Sequence, residues 1–196
     1  MARPVPDRGA RIHRLEALVY SSTDELAAGT LPFVQQGLTC GDRVLVVMRE
    51  EGRALLHRAL GGDAARIEFA DAVAWYQSPE HAFQQYSRYV EDHLEHGASR
   101  VRVVAEVIWP QSSATAEVGG WKRYEAGISV GMASVPVSFV CAYNTQELPA
   151  GIITDALRTH PVLRSAGGAR PSAHYSQPRA FIRDLERAAP ASAPRR

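Results

Sequence analysis

Residues 15–48, LEALVYSSTDELAAGTLPFVQQGLTCGDRVLVVM, give the clearest indication of fold class. The apolar run at 15–20 predicts a strand, and the Ser, Thr and Asp side chains after it are those that cap the start of a helix. A helical pattern follows over 24–38, in which Pro32 predicts a kink or a late start. Gly41 ends that pattern, and 43–48 predicts a second strand. The segment is therefore one strand–helix–strand unit, which is typical of parallel sheets.

The same alternation of strands and helices continues along the chain. Further helices are predicted over 50–60, 79–96, 117–133 and 149–159, and further strands over 66–69, 100–107 and 137–143. Five strands and five helices predict an α/β fold, a three-layer sandwich with a mainly parallel central sheet. The apolar residues Phe181, Ile182 and Leu185 predict a short amphipathic helix that packs on a partner or on the domain itself.

Both ends of the chain have compositions that rarely form ordered structure. Residues 1–11 are rich in Pro and Arg, and the last nine residues, AAPASAPRR, are rich in Pro and Ala. We therefore expect a flexible tail at 1–11 and a domain over 12–178. A short helix and a disordered tail are expected at 179–196.

Composition and charge argue against several classes of protein. The 196 residues include 22 Lys and Arg against 21 Asp and Glu, and this balance provides no field to attract nucleic acids or anionic lipids. Cys40 and Cys141 lie far apart without zinc-site spacing, so we expect no metal, cofactor or disulfide. No apolar run approaches the roughly 18 residues of a membrane span. Without a signal sequence, the expected location is the cytoplasm.

The segment after the first strand stands where an ATPase of this layout carries its phosphate-binding loop. Residues 20–26, YSSTDEL, contain neither the glycines nor the lysine that such a loop needs. They also include two acids, which repel a triphosphate. Two interpretations stay open: an ordinary capped helix, or a site that binds something other than phosphate.

Glu106 is the most informative single residue because it ends a central strand. In open α/β sheets, ligands bind beyond the carboxyl ends of the strands, and a buried carboxylate there needs a partner. A structural ion pair, a hydrogen bond to a loop, a ligand contact and acid–base chemistry all fit this position. Trp109 follows three residues later, where it either stacks on a flat ligand or caps the sheet.

Five more residues are candidates from their positions. Cys141 and Tyr143 alternate along the last strand and therefore share one face of the sheet. Cys141 is either a small buried hydrophobe or a reactive thiol. His13 before the first strand and His160 after the last helix are further ligand candidates, although their spacing is not that of a metal site. Glu125 lies beside the inward stripe of its helix, and position alone predicts a solvent-facing side chain.

Seven short stretches, in order over roughly 12–178, resemble the MEDS family of bacterial and archaeal sensory domains. They are His13 with LEALVY and Ser21-Ser22, then LPFVQQGLTCGDRVLVV (31–47), RIEFADA (66–72), AEVIWP (105–110), RYEAGIS (123–129), CAYNT (141–145) and THP (159–161). The resemblance implies a RecA-like sandwich with a degenerate P-loop, related to the RecA and circadian-clock ATPases, that senses small organic molecules. Where the family often has Gly, His and Asp, this chain has Ala105, Tyr124 and Asn144, so an acid at position 144 is missing.

Together, these observations predict a non-catalytic sensory or regulatory domain with a small organic ligand at the edge of its sheet. It would signal to a separate regulatory protein, of the kinase or anti-sigma type, in bacterial transcription or signalling control. A homodimer is a further option, and no direct binding to nucleic acid or membrane is expected. The predicted ligand-binding residues are His13, Tyr20, Ser21, Ser22, Glu106, Trp109, Glu125, Cys141, Tyr143 and His160.

Two other functional classes stay open at this point. One is a small enzyme that uses Glu106 with Cys141 or His160 on a compact organic substrate, which requires these side chains to converge in one pocket. The other is a protein-binding module that controls its partner without a ligand.

Overall fold

The computed structural model describes residues 13–109 and 115–188, and a seven-stranded sheet forms its centre. The sheet has the strand order β3-β2-β4-β5-β1-β6-β7. Its strands are β1 (His13–Tyr20), β2 (Arg43–Met48), β3 (Glu68–Asp71), β4 (Val101–Glu106), β5 (Val137–Asn144), β6 (Val162–Ser165) and β7 (Gly168–Pro171). Neighbouring strands are parallel except for β6 and β7, which are antiparallel. The predicted mainly parallel sheet is confirmed, whereas the tails predicted at 1–11 and at the C-terminus lie outside the described residues.

Helices cover both faces of this sheet. They are α1 (Thr23–Cys40), α2 (Glu50–Leu60), α3 (Ala72–Trp75), α4 (Pro79–Glu95), α5 (Thr115–Gly131), α6 (Ala150–Thr159) and α7 (Pro178–Ala188), with a 3-10 helix at Gly61–Arg66. One hydrophobic core joins the sheet to α1, α2 and the 3-10 helix, and the other joins it to α3, α4, α5 and α6. The protein is therefore a three-layer α/β sandwich, as predicted. None of the described helices combines the length and apolar character needed to span a membrane.

Alternation along the central strands sends successive side chains to opposite faces. On β5, Val140 and Ala142 belong to the core beneath α1 and α2, whereas Phe139, Cys141 and Tyr143 belong to the opposite core. Every residue of β4 is buried, as expected for a strand covered on both faces. This alternation determines the side of the sheet on which each candidate residue lies.

The first strand–helix–strand unit follows its sequence closely. β2 and α2 begin and end at the predicted residues. α1 continues through Pro32, so the late start that this proline suggested does not occur. Phe33 and Val34, directly after the proline, are buried against the sheet, and this burial compensates for one missing N–H group in the helix.

Two strands were not predicted. β6 and β7 form a hairpin in which Ser165 lies opposite Gly168 and residues 166–167 make the turn. Gly168 has a φ of 108°, a conformation that glycine adopts without a steric penalty. The hairpin extends the sheet because β6 pairs with β1.

The predicted C-terminal amphipathic helix is present as α7, which contacts α5 and α6. The Phe181 side chain is fully buried, and the Arg158 guanidinium carbon lies 5.0 Å from the centre of its ring. Arg158 also forms a 2.5 Å ion pair with Asp184 on α7. Of the two roles considered for this helix, the structure therefore shows packing on its own domain.

Candidate functional site

The start of α1 is a self-contained capping box. The Ser22 hydroxyl accepts a 3.2 Å hydrogen bond from the Glu25 N–H, and Ser22 is the N-cap. In return, Glu25 Oε2 accepts hydrogen bonds from the backbone N–H of Ser21 at 2.7 Å and from its hydroxyl at 2.9 Å. These bonds lower the pKa of the Glu25 carboxyl. Ser21 and Ser22 thus have partners within α1, and the Glu25 carboxylate lies beside the helix start, where it repels a phosphate.

Polar side chains meet where β1, β2, β4 and β5 end at the same edge of the sheet. Glu106, the last residue of β4, accepts a 2.8 Å hydrogen bond at Oε2 from the backbone N–H of Arg49, which directly follows β2. The Arg49 guanidinium hydrogen-bonds to Glu147, in the loop after β5. The Asn144 amide donates a 2.9 Å hydrogen bond to Glu147. We call Tyr20, Arg49, Glu106 and Glu147 the edge cluster.

Burial and charge shape the chemistry of the edge cluster. The Glu106 side chain is only 9% exposed, and its desolvation raises the pKa of the carboxyl. The Arg49 N–H and charge act in the opposite direction, whereas Glu147 and Glu51 add to the rise. Burial also raises the pKa of Tyr20; the Glu106 and Glu147 charges add to this rise and the Arg49 charge opposes it.

Two polar groups of the edge cluster lack partners in the part of the chain that the structure describes. Glu106 Oε1 makes no hydrogen bond there, because the nearest guanidinium nitrogen, Nη1 of Arg49, lies 3.8 Å away. The Tyr20 hydroxyl makes none either, although Tyr20 is only 6% exposed. Neither atom is among the fully buried unpartnered ones, so both are accessible to solvent and are able to accept a hydrogen bond from a further polar group.

A second polar group, the buried triad, lies on the opposite face and consists of Glu125 on α5, Tyr143 on β5 and His160 after α6. The Tyr143 hydroxyl donates a 2.6 Å hydrogen bond to Glu125 Oε2 and lies 3.5 Å from His160 Nε2. His160 Nδ1 lies 2.9 Å from the Ala156 carbonyl oxygen. Because a carbonyl oxygen only accepts, this contact is a hydrogen bond in the tautomer whose Nδ1–H donates to the Ala156 oxygen; the Thr159 hydroxyl lies 3.1 Å from the same nitrogen.

Glu125 is the residue whose position the sequence predicted incorrectly. The solvent-facing side chain expected from its helix position is wrong, since Glu125 is 6% exposed and bonded to Tyr143. Burial raises the pKa of Glu125 to about 7; the Tyr143 hydrogen bond lowers it and the Asp155 charge raises it. A carboxyl in this state gains or loses its proton near neutral pH.

The structure keeps the edge cluster and the buried triad apart. In the pairing of β4 with β5, Glu106 lies beside Ala142 and Ala105 beside Cys141, so Cys141 faces away from Glu106. Cys141 and Tyr143 share a face, as predicted, and Cys141 packs in the core as a small hydrophobe. Burial, and then the Glu125 charge, raise the pKa of its thiol, which disfavours the thiolate. The enzyme alternative therefore lacks the convergence of Glu106 with Cys141 or His160 that it requires.

The two remaining candidates lie away from the edge cluster. Trp109 is 6% exposed and packs in the same core as Tyr143. His13 begins β1 opposite Val137, at the amino edge of the sheet and roughly 23 Å along the strand from Tyr20. Within 13–109 and 115–188, no three His, Cys, Asp or Glu residues are grouped to hold a metal ion.

Sequence reasoning missed Arg49 and Glu147, both of which complete the edge cluster. The rule that singled out Glu106 applies to both, because Arg49 directly follows β2 and Glu147 lies three residues after β5. Glu147 supplies a carboxylate near position 144, and Asn144 helps to orient it.

A groove of about 530 Å³ lies between α4 and α5, away from both clusters. Phe83, Arg123, Tyr124 and Gly127 are among the residues that line it. No residue of the edge cluster lines the groove. Tyr124, which does line it, directly precedes Glu125 of the buried triad in the sequence.

A comparison with protein families identifies one match to the chain. The family model described as MEDS, "MEthanogen/methylotroph, DcmR Sensory domain", matches residues 16–161. These residues include most of β1, all of β2 to β5 and α1 to α6, and every member of both polar clusters. No curated protein matches the chain.

Proposed function

The chain belongs to the MEDS family of sensory domains, and we propose that it binds a small organic ligand at the edge cluster. Occupancy of that site is then signalled to a separate regulatory protein of the kinase or anti-sigma type, in bacterial transcription or signalling control. The protein acts in the cytoplasm, without direct contact to nucleic acid or membrane.

The observation that carries this proposal is the incompletely bonded Glu106 carboxyl at the carboxyl edge of the sheet. Ligands of open α/β sheets bind at this edge, beyond the ends of the strands. One Glu106 oxygen is fixed by the Arg49 N–H, while the other has no hydrogen-bond donor among the described residues. A ligand group that donates a hydrogen bond to this free oxygen gains the strength of a bond to a charged acceptor.

The dimensions of the edge cluster favour a compact ligand. Its members come from four adjacent strands or the residues after them, and neighbouring strands lie about 4.8 Å apart. The whole cluster therefore spans roughly 14 Å, of which Arg49 and Glu147 already fill a part. The Glu25 carboxylate lies at the start of α1 beside it, where its charge disfavours a phosphate chain.

The same residues provide a route by which occupancy changes the surface. Arg49 is the N-cap of α2 and joins Glu106 to Glu147, in the loop that leads to α6. A ligand that bonds to Glu106 competes with or reorients Arg49, and so changes the link between α2 and that loop. Differential affinity for the two arrangements is what allows a ligand to shift a conformational equilibrium.

A thermal-shift panel tests the proposal. Compact alcohols, amides, amines and carboxylates are each added to the wild-type protein, to Glu106→Gln and to Glu91→Gln, an exposed acid on α4. We expect at least one compound to raise the unfolding temperature of the wild type and of Glu91→Gln but not of Glu106→Gln. Stabilisation by ATP with magnesium alone, or an unchanged response of Glu106→Gln, would refute the assignment.

A further inference from the structure

The groove between α4 and α5 lies between two close contacts of these helices. A Cβ at Gly120 would lie 3.6 Å from Cγ of Pro79, and a Cβ at Gly131 would lie 2.6 Å from Cζ of Phe83. Gly127 lines the groove between these two glycines, and a Cβ there would meet no atom within 4 Å. The helices therefore approach each other at two points and leave open space over Gly127.

The volume and the lining of the groove are those of a small-molecule site. Its volume of about 530 Å³ lies within the range of about 300–1,000 Å³ that is typical of ligand pockets. Such pockets combine mainly apolar and aromatic walls with a few polar groups that orient the ligand. Here the apolar walls come from Pro79, Phe83, Tyr124 and Ile128.

Two opposite charges lie at one end of the groove. Glu80 directly follows Pro79, at the end where that proline approaches Gly120. The Arg123 guanidinium lies at the same end, because its Nη2 would be 3.6 Å from a Cβ at Gly119. Both side chains line the groove, and within 13–109 and 115–188 neither has an opposite charge within 4.0 Å. The groove thus has a charged end with one free anion and one free cation, and an apolar remainder.

We propose that this groove is a second ligand site, separate from the edge cluster, and that it binds a free α-amino acid with an aromatic side chain. The ligand carboxylate pairs with Arg123, whose planar guanidinium matches it, and the ligand ammonium pairs with Glu80. The aromatic ring of the ligand lies over Gly127, against the rings of Phe83 and Tyr124.

The arrangement of charges in an α-amino acid is what favours this ligand. Its ammonium and carboxylate groups are attached to the same carbon atom, so both remain at the charged end of the groove while the side chain extends along it. A ligand with one charge leaves either Glu80 or Arg123 unpaired. A ligand without an aromatic group leaves the apolar walls uncovered.

Three probes that share a phenyl ring and differ in charge test this inference. They are L-phenylalanine, 3-phenylpropionate, which lacks the ammonium group, and 2-phenylethylammonium, which lacks the carboxylate. Each is titrated into the ¹⁵N-labelled full chain at neutral pH and fixed ionic strength, and the amide shifts of Gly120, Arg123 and Gly127 are followed by NMR. We expect phenylalanine to bind saturably, with a Kd about fivefold below that of either analogue, which is the effect of one exposed ion pair.

Two charge variants show which group of the ligand each residue binds. Arg123→Gln should weaken the binding of phenylalanine about fivefold and leave that of 2-phenylethylammonium unchanged. Glu80→Gln should weaken the binding of phenylalanine equally and leave that of 3-phenylpropionate unchanged. Each variant therefore serves as the control for the other. Arg88→Gln, at an exposed position of α4 outside the groove, should bind all three probes as the wild type does.

A third variant blocks the groove itself. Gly127→Leu places a side chain in the open space and should abolish the saturable shifts with all three probes. If this variant does not fold, the two charge variants still decide the inference, because Glu80 and Arg123 are exposed and their replacement leaves the core intact.

Several outcomes would overturn the inference. Binding of either analogue as tight as that of phenylalanine would refute the amino-acid assignment, and so would the absence of saturable shifts with phenylalanine. Unchanged binding by a folded Gly127→Leu would show that the ligand lies outside the groove. Shifts confined to Tyr20, Arg49 and Glu106 would place phenylalanine in the edge cluster, which refutes this inference and supports the proposed function.

Discussion

Tyr143 and Glu125 form a 2.6 Å hydrogen bond between the central sheet and α5, and both side chains are buried. The bond lies in a largely apolar contact, since Trp121 and Ile128 of α5 are buried in the same core as Tyr143. Because the Glu125 carboxyl has a pKa of about 7, the strength of this link depends on pH within the physiological range.

Glu125→Gln should remove a pH dependence of stability. The pKa of Glu125 rises from 4.5 to about 7 on folding, so the folded state binds more protons than the unfolded state between these values. The contribution of Glu125 to the free energy of unfolding is therefore fully present below pH 4.5 and is lost as the pH rises to about 7. We measure the free energy of unfolding in urea at several pH values. Between these two pKa values, the free energy of the variant should rise relative to that of the wild type by up to about 1.4 kcal/mol per pH unit.

Glu117→Gln, on the exposed side of the same helix, is the matched control, and its free energy of unfolding should depend on pH as that of the wild type does. Parallel curves for wild type and Glu125→Gln would contradict the burial of this carboxyl. The charged groups around it are Asp155 on α6 and Lys122 on α5, which form a 2.6 Å ion pair with each other.

Tyr143→Phe should destabilise the protein. It should also extend to higher pH the range over which the contribution of Glu125 to stability is lost. The Tyr143 hydrogen bond lowers the pKa of Glu125, so its loss raises that pKa above about 7. The unmatched carboxyl should reduce the free energy of unfolding by about 1–3 kcal/mol. The same substitution in a Glu125→Gln background should cost less, and equal costs in a double-mutant cycle would show that the two side chains do not interact.

Gly29→Ala and Gly127→Ala should have opposite effects, although both replace a glycine inside a helix. A Cβ at Gly29 would lie 2.5 Å from Cδ1 of the buried Leu18, so alanine there overpacks the contact between α1 and β1. We expect a loss of about 1–3 kcal/mol. A Cβ at Gly127 meets no atom within 4 Å, and alanine should stabilise α5 by up to about 1 kcal/mol. Thermal unfolding of the two variants measures this difference, and similar shifts would contradict the packing of α1.

Phe181→Ala tests whether α7 is an integral part of the domain. The side chain is fully buried, so its truncation should lower the free energy of unfolding by about 3–5 kcal/mol in urea titrations. Leu185→Ala, on the same helix but only half-buried, should cost less. A cost below about 1 kcal/mol for both variants would mean that α7 is not held on the domain.

The sequence predicted those elements whose signals are local. The apolar run of β2 and the glycines after α1 and α2 mark element boundaries that depend on neighbouring residues alone. β6 has no comparable signal, because it is four residues long, its burial is partial, and it is a strand through its pairing with β1. Pairing of this kind depends on tertiary contacts and is not encoded in a short window.

The same distinction between local signals and tertiary contacts applies to the candidate site. Glu106 was identifiable because a strand end is visible in the sequence, whereas its contact with Arg49 joins residues 57 positions apart. Arg49 and Glu147 are 98 positions apart, and only the order of the strands brings them together. The burial of Glu125 likewise depends on Tyr143, which lies 18 positions later on a strand across the core.

The carboxylate of Glu25 at the start of α1 has one further consequence. A phosphate in that position exchanges with solvent or is cleaved, whereas Glu25 is covalently part of the chain and does neither. The hydrogen bonds between Glu25 and Ser21 therefore form within the chain when the protein folds, and they need no bound anion. Order at the start of α1 therefore comes from the chain itself and does not depend on the binding or hydrolysis of a nucleotide.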